Sequence, residues 1–260
     1  MHDIAIINGT IVDGSGSAPY LGYILISDGV IVSTGVDPSS HNADMRASIT
    51  IDAKNKIVCP GFIDIHTHSD LTLIADGRGE SKLRQGVTTE VVGNCSFSAF
   101  PIEPLNLDLH ADHLARATAP LRPWWTDFDG YAKALEDQGI AINVASLTGH
   151  GTLRVAAMGV DQRQATKYEL DRMVNDLHTA ISQGAFGMST GLTHVPSAYG
   201  DFDEIETLAE VLAEHHALYA THCRDSKPDE RAAIAESIEI GRRTGVSVEF
   251  SHLAINRPER

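Results

Sequence analysis

The feature that most constrains the fold is a regular alternation of apolar runs, loops and amphipathic runs from Ile57 onward. Apolar strand-like runs that alternate with helical runs are typical of βαβ units, which build parallel sheets. The alternation repeats six times along the chain. We therefore expect six strands, at residues 57–65, 88–92, 140–147, 185–189, 218–221 and 246–250.

Amphipathic helices separate the later strands. The clearest covers residues 167–183, where Leu170, Met173 and Leu177 share one face and Gly184 ends the helix. Two more are expected at about residues 203–216 and 229–244. Each ends a few residues before the next strand, which is the short connection found on the stability face of β/α barrels. The alternation of strands and helices therefore predicts a barrel domain at residues 59–260.

Residues 1–58 follow another pattern. They contain β-type runs at 4–12, 23–26 and 30–33, and Asp28-Gly29 is a hairpin signal before the last of these. So few strands normally need more sheet to cover one face. We expect a small N-terminal β domain, which is an incomplete β-sandwich.

Charge and cysteine content exclude several classes of protein. Lys and Arg total 20 against 35 Asp and Glu, and the net charge of −15 argues against a nucleic-acid partner. No apolar run approaches the roughly 18 residues that a membrane span needs. The chain has three widely spaced cysteines and no positively charged start, which favours a reducing compartment. We expect a cytoplasmic protein without a membrane partner.

Residues 101–125 interrupt the alternation with four prolines and the pair Trp124-Trp125. This insertion follows the second strand, on the face where barrel active sites are built. It forms either a lid or pocket wall, or a solvated excursion.

Five metal-binding side chains lie at strand ends. His66 and His68 alternate at the end of the first strand, so they point to the same side. Cys95, His222 and His252 follow the second, fifth and sixth strands. In a barrel these ends meet at the C-terminal rim, and imidazole and thiolate ligands suit zinc or a similar divalent ion.

These motifs resemble the amidohydrolase superfamily, and most closely the N-acyl-D-amino-acid deacylases, or D-aminoacylases. The resemblance covers essentially the whole chain and is carried by residues 60–70, 93–95, 148–154, 187–192, 220–224 and 251–253. Gly93-Asn94-Cys95 and residues 189–192 point to the deacylase branch. The fourth strand has neither lysine nor glutamate, which disfavours the branch with a carbamylated lysine, and the Cys95 thiolate can supply the negative ligand.

The resemblance implies an α/β fold with a (β/α)8 TIM-type barrel, of which this chain has about six units. It implies zinc-dependent hydrolysis of the amide bond of N-acyl-D-amino acids, a small-molecule substrate that yields a D-amino acid and a carboxylate. Cys95, His222 and His252 would hold the tighter zinc ion. His66 and His68 would contribute to a second, weaker site.

The chain departs from the family pattern at two points. The resemblance implies a catalytic aspartate after an eighth strand, and no residue of this chain matches that position. We expect a second polypeptide or a homo-oligomer to supply the missing strands, unless a truncation removed them. Ala254 replaces the lysine usual in the deacylases. The alternatives are therefore another amidohydrolase, of dipeptidase or hydantoinase-like activity, and a non-catalytic metal-binding subunit.

Other polar residues near these ends have weaker indications. His150, in a turn after the third strand, either contacts substrate or supports the loop. Arg224 either binds a substrate carboxylate or pairs with Asp225 or another neighbouring acid. His194 is a weaker candidate, and Cys59 and Cys223 are interpreted as structural. Solvated or capping roles are expected for the remaining histidines: His2, His41, His110, His113, His178, His215 and His216.

Overall fold

The computed structural model describes residues 1–36, 45–224 and 230–253. It divides into two compact units, Met1–Gly61 and Phe62–Arg260. Ala254, Asp225 and His41 lie outside the described residues. Within the described ranges, no helix combines the length and the apolar character that crossing a membrane requires.

The first unit is a five-stranded mixed sheet. Its strands are β1 (His2–Ile11), β2 (Tyr20–Ser27), β3 (Val30–Val36), β4 (Ala47–Asp52) and β5 (Ile57–Val58). The order is β3-β2-β1-β4, and β5 also pairs with β1. The β2–β3 turn has positive φ at both Asp28 and Gly29, as the hairpin signal predicts. The described residues of this unit form a single sheet layer, with Ala5, Tyr23 and Leu25 buried on one face.

The second unit contains six parallel strands in chain order, arranged as a half-barrel. They are β6 (Phe62–Asp64), β7 (Val87–Val92), β8 (Asn143–Gly149), β9 (Gly187–Gly191), β10 (Leu218–His222) and β11 (Ser247–Phe250). The helices are α1 (Thr72–Ala75), α2 (Glu80–Leu83), α3 (Leu107–Leu114), α4 (Phe128–Gln138), α5 (His150–Met158), α6 (Lys167–Gln183), α7 (Phe202–Glu214) and α8 (Glu230–Thr244). The predicted β/α alternation is confirmed.

The first predicted strand is the exception. Residues 57–65 do not form one strand, because Ile57–Val58 belongs to the small sheet and Phe62–Asp64 begins the half-barrel. Pro60 lies between the two segments, and proline cannot donate a hydrogen bond to a strand ladder. An apolar run alone does not show such a division.

The helices bury apolar faces against one face of the parallel sheet. Met173 of α6 and Leu208 of α7 pack with Met188 of β9 and Tyr219 of β10. α6 begins at a capping box, in which the Thr166 side chain accepts from the Glu169 amide and the Glu169 carboxylate accepts from the Thr166 amide. This packing fixes the strand ends that carry the candidate site.

The insertion at residues 101–125 is folded onto the half-barrel. α3 buries His110, His113 and Leu114, and the indole of buried Trp125 donates to the Ala99 carbonyl at 2.7 Å. The solvated roles expected for His110 and His113 are therefore wrong. His110 accepts a hydrogen bond from the Glu103 amide at 3.1 Å. Their sequence offered no sign of this burial, because it depends on the path of the insertion.

Candidate metal centre

A tight turn after β7 places Cys95 inside the second unit. Cys95 and Ser96 both have positive φ, at 52° and 75°, and Cys95 is buried. The Ser96 amide donates to the Ser189 hydroxyl of β9 at 3.0 Å. This bond holds a backbone conformation that non-glycine residues seldom adopt.

Glycines at the ends of the neighbouring strands leave room for this turn. A Cβ on Gly149 would lie 2.3 Å from the Ser96 carbonyl oxygen. A Cβ on Gly191 would lie 2.3 Å from the Cys95 carbonyl oxygen. β8 and β9 therefore end in glycine because the Cys95 turn lies against their backbones.

Two histidines place ring nitrogens beside the thiol. The Nε2 atom of His66 lies 3.4 Å from Sγ of Cys95, and the Nε2 atom of His252 lies 3.3 Å from it. The ligand atoms of these three residues are all within 4.8 Å of one another. Thr67 points the other way and its hydroxyl donates to the Val91 carbonyl. The structure thus brings His66, Cys95 and His252 together from three strand ends.

His68 and His222 flank this group. The ring centroid of His68 lies 5.4 Å from that of His66, and the ring centroid of His222 lies 4.5 Å from that of His252. Nε2 of His222 is 2.9 Å from the Thr193 hydroxyl. In the compact group, His66 takes the place that the sequence-based prediction gave to His222.

The protonation of these groups follows from their burial. Desolvation, with the neighbouring histidines, lowers the pKa of His66 and of His222 to about 4, so both imidazoles are neutral at pH 7. Burial, with the nearby Glu249 carboxylate, raises the pKa of the Cys95 thiol to about 11. A cation at this point would reverse the preference of the thiol, because coordination deprotonates it.

The donor atoms fit a zinc-type ion. The Nδ1 atoms of His66, His68 and His222 are buried and have no hydrogen-bond partner within the described part of the chain. Leaving such atoms unpaired is unfavourable, and neutral imidazole with thiolate is the donor set that zinc prefers. These residues could therefore hold a divalent metal ion.

Sequence reasoning missed or undervalued several neighbours of this group. His194 lies against His222, with ring centroids 4.8 Å apart, and against Phe97 at 5.5 Å. Phe97 in turn stacks on His113 at 4.5 Å. His194 and Phe97 follow the ends of β9 and β7 closely, and this position was the signal that could have identified them.

The two predicted substrate-binding residues have protein partners. His150 is fully buried, and its nitrogens contact the Ser197 hydroxyl at 2.8 Å and the Glu204 carboxylate at 2.7 Å. Arg224 forms an ion pair with Glu236 at 3.0 Å. These placements favour the supporting role for His150 and the neighbouring-acid alternative for Arg224.

Comparisons with known proteins agree with the geometry. The sequence profile described as "Amidohydrolase family" matches residues 50–248. The chain is 38% identical to an N-acyl-D-glutamate deacylase and 34% identical to a D-aminoacylase, both from Alcaligenes xylosoxydans xylosoxydans. These alignments cover 96% of this chain, with 49% of the first protein and 50% of the second.

A solved structure gives the same result. The N-acyl-D-glutamate deacylase of Bordetella bronchiseptica, complexed with zinc and a phosphonate inhibitor, superposes with a TM-score of 0.84 at 37% identity. The match covers 95% of this chain and 50% of that protein. The chain spans about half the length of the relatives that it matches. From its sequence profile, its half-barrel and its relatives, this chain belongs to the amidohydrolase family.

Proposed function

We propose that this chain takes part in zinc-dependent hydrolysis of the amide bond of N-acyl-D-amino acids, releasing a D-amino acid and a carboxylate. The observation that carries the proposal is the approach of the Cys95 thiol to the imidazoles of His66 and His252 at 3.4 and 3.3 Å. The D-amino-acid substrate class is supported by the deacylase relatives.

The proposed metal residues have distinct roles. His66, Cys95 and His252 would hold one zinc ion, with Nδ1 of His222 as a further ligand, and His68 would contribute to a second, weaker metal site. Zinc acts as a Lewis acid that polarises an amide carbonyl and acidifies water. Cys95 would supply the negative charge of the site, and the neutral imidazoles would supply unprotonated nitrogens.

Other side chains would shape the space above the metal. Phe97 and His194 are in ring contact, and Phe97 also lies 6.4 Å from the His68 ring. Such rings limit access of water on their side of the site. No residue of this chain matches the aspartate that the family resemblance assigns to proton transfer, so we propose that this carboxylate comes from a further segment or a second polypeptide.

Zinc content and stereoselective turnover test the proposal together. We expect bound zinc in the purified protein. Once the segment or polypeptide that supplies the carboxylate is also present, we expect faster deacetylation of N-acetyl-D-methionine or N-acetyl-D-glutamate than of the L isomers. Cys95→Ala should lose zinc and activity together. Cys59→Ala is the matched control, because Cys59 is an exposed free cysteine.

The outcomes separate the alternatives. Zinc without turnover of any amide, even with the segment or polypeptide that supplies the carboxylate, would favour a non-catalytic metal-binding subunit. Hydrolysis of a dipeptide or a cyclic amide alone would favour another amidohydrolase activity. An unchanged zinc content in Cys95→Ala would contradict the proposed centre.

A further inference from the structure

The loop at residues 192–200 connects β9 to α7 and contacts His222 twice. The Leu192 amide donates to the His222 carbonyl at 3.0 Å. The Thr193 hydroxyl lies 2.9 Å from Nε2 of the same residue. The position of this loop therefore determines how the His222 ring is held.

A buried chain of three polar side chains begins on the same loop. Ser197 contacts Nδ1 of His150 at 2.8 Å, and Nε2 of His150 contacts the Glu204 carboxylate at 2.7 Å. Arg154, also fully buried, donates to Glu204 at 2.6 Å. Ser197 and His150 are 0% exposed and Glu204 is 3% exposed. These three residues are called the relay below.

The chemistry of the partners fixes each donor in the relay. Burial alone would raise the pKa of Glu204, but hydrogen bonds and charge interactions with His150 and Arg154 outweigh it and lower that pKa to about 2. A carboxylate only accepts, so His150 donates from Nε2. Burial lowers the pKa of His150, so its ring is neutral at pH 7 and Nδ1 accepts from the Ser197 hydroxyl. The Ser197 oxygen in turn accepts from the Gly191 amide at 3.3 Å.

The relay has the atom order of an activated serine nucleophile, but its surroundings exclude that use. A Cβ on Gly200 would lie 2.6 Å from Oε1 of Glu204 and 2.8 Å from Cε1 of His150. With no exposed surface and this close packing, no substrate reaches Ser197. The relay acts on groups of the protein itself.

His222 is the group on which this loop acts. Its Nδ1 atom is buried and has no hydrogen-bond partner among the described residues. If Nε2 accepted from Thr193, Nδ1 would carry a buried hydrogen without an acceptor, which is unfavourable. If Nε2 donates to Thr193, Nδ1 presents a lone pair that a cation can take. Hydrogen bonds of this type commonly select the ligating nitrogen of a histidine.

We propose that the Ser197–His150–Glu204 relay is a positioning network that holds the 192–200 loop, so that Thr193 selects the Nε2–H tautomer of His222 and leaves Nδ1 free to bind a metal ion. The assignment of zinc to that position rests on the proposed function. The tautomer itself does not, because it is a property of the protein without metal.

Tautomers in the metal-free protein test the network directly. In protein labelled with ¹⁵N-histidine, long-range ¹H–¹⁵N correlation spectra at pH 7.5 should show His222 mainly as the Nε2–H form. Thr193→Val and Ser197→Ala should each give a mixture of tautomers. Thr193→Ser should restore the wild-type pattern, because it keeps the hydroxyl.

Two controls distinguish a specific effect on the His222 tautomer from a general loss of structure. Ser146→Ala removes another buried serine hydroxyl, which donates to the Leu147 carbonyl, and should leave His222 unchanged. Arg224 donates to the carbonyls of Ala198 and Gly200, so the loop keeps other hydrogen bonds in Ser197→Ala. Thr193 is exposed, so Thr193→Val should fold even if Ser197→Ala does not.

Zinc affinity gives a second readout. Competition with a chromophoric chelator should show about 10- to 100-fold weaker zinc binding in Thr193→Val and in Ser197→Ala. A wild type that binds no zinc would contradict the proposed function. The tautomer spectra would still test whether the relay and Thr193 select the Nε2–H form of His222. A mixed or Nδ1–H tautomer of His222 in the wild type, or an unchanged spectrum in Thr193→Val or in folded Ser197→Ala, would overturn the proposal.

Discussion

At the scale of single residues, the candidate site depends on groups in environments that a sequence does not display. Cys95 has positive φ, and its turn lies against two glycine-ended strands. Next to this turn, the buried ring of His113 stacks on Phe97. The Nε2 atom of His113 donates to the Ser96 carbonyl at 3.3 Å. His113 thus supports the segment that carries the thiol without contacting the metal position.

The burial of His113 makes stability depend on pH. Desolvation lowers its pKa to about 3, below the unfolded value of 6.5, so only the unfolded chain takes up this proton between those values. Stability is therefore complete above pH 6.5 and falls as the pH decreases toward 3. At pH 5 the loss from this residue is about 2 kcal/mol.

Urea unfolding of His113→Gln and the wild type at pH 7.5 and pH 5 measures this loss. We expect the variant to lose about 2 kcal/mol less than the wild type between these pH values, whatever its stability at pH 7.5. His216→Gln, at an exposed position, serves as the matched control for the loss of a histidine side chain. An equal loss in His113→Gln and the wild type would contradict the neutral state of buried His113.

At the scale of elements, helix ends were the most predictable features. α6 spans Lys167–Gln183, the range that its apolar spacing and Gly184 predicted. Its N-terminus also contains the Thr166–Glu169 capping box, and Arg163 pairs with Glu169 at 2.7 Å. Local sequence determines such a helix because its capping groups lie within a few residues of one another.

Removing the cap should destabilise the protein. Thr166→Ala is expected to lower the free energy of unfolding by about 1 kcal/mol, because an amide at the start of α6 loses its acceptor. Thr179→Ala removes a hydroxyl that donates to the Asn175 carbonyl within α6, and it should be neutral or stabilising since alanine is the better helix former. Denaturant melts of both variants measure the difference. Equal effects at the two positions would contradict the role of the cap.

At the scale of the whole molecule, the parallel sheet has two open edges. In the described chain, β6 and β11 end the strand order, and each pairs with one neighbour. Along β6, Phe62 and Ile63 are 58% and 63% exposed although they point to opposite faces. Exposed apolar edge strands tend to pair with other chains. We propose that these edges pair with strands of a second polypeptide or of a second copy of this chain.

Sedimentation velocity over a range of protein concentrations tests whether the chain associates through these edge strands. The wild type alone should associate as its concentration rises, and Ile63→Lys should reduce the association because a charge on an edge strand opposes pairing. Leu105→Lys, at a position that is 93% exposed outside the sheet, should behave like the wild type. A wild type that stays monomeric at every concentration would contradict pairing with a second copy of this chain.

The sequence by itself determined the features that depend on near neighbours. The β/α alternation, the span of α6, the Asp28-Gly29 turn and the location of His66, Cys95, His222 and His252 near strand ends follow from local patterns of polarity and turn residues. The resemblance to the deacylases was read from short motifs of the same kind. The division of residues 57–65 between two sheets could not be read in this way, because strand pairing depends on residues far away in the chain.

Packing between distant segments determines which of these side chains meet and which nitrogen each one offers. His66 rather than His222 joins Cys95 and His252 in the compact group, and the His150 side chain lies in the buried relay. His110 and His113 became core residues through the path of the insertion. The physical reason is that burial, tautomer and hydrogen-bond partner are properties of packing between distant segments, and no window of sequence contains both members of those contacts.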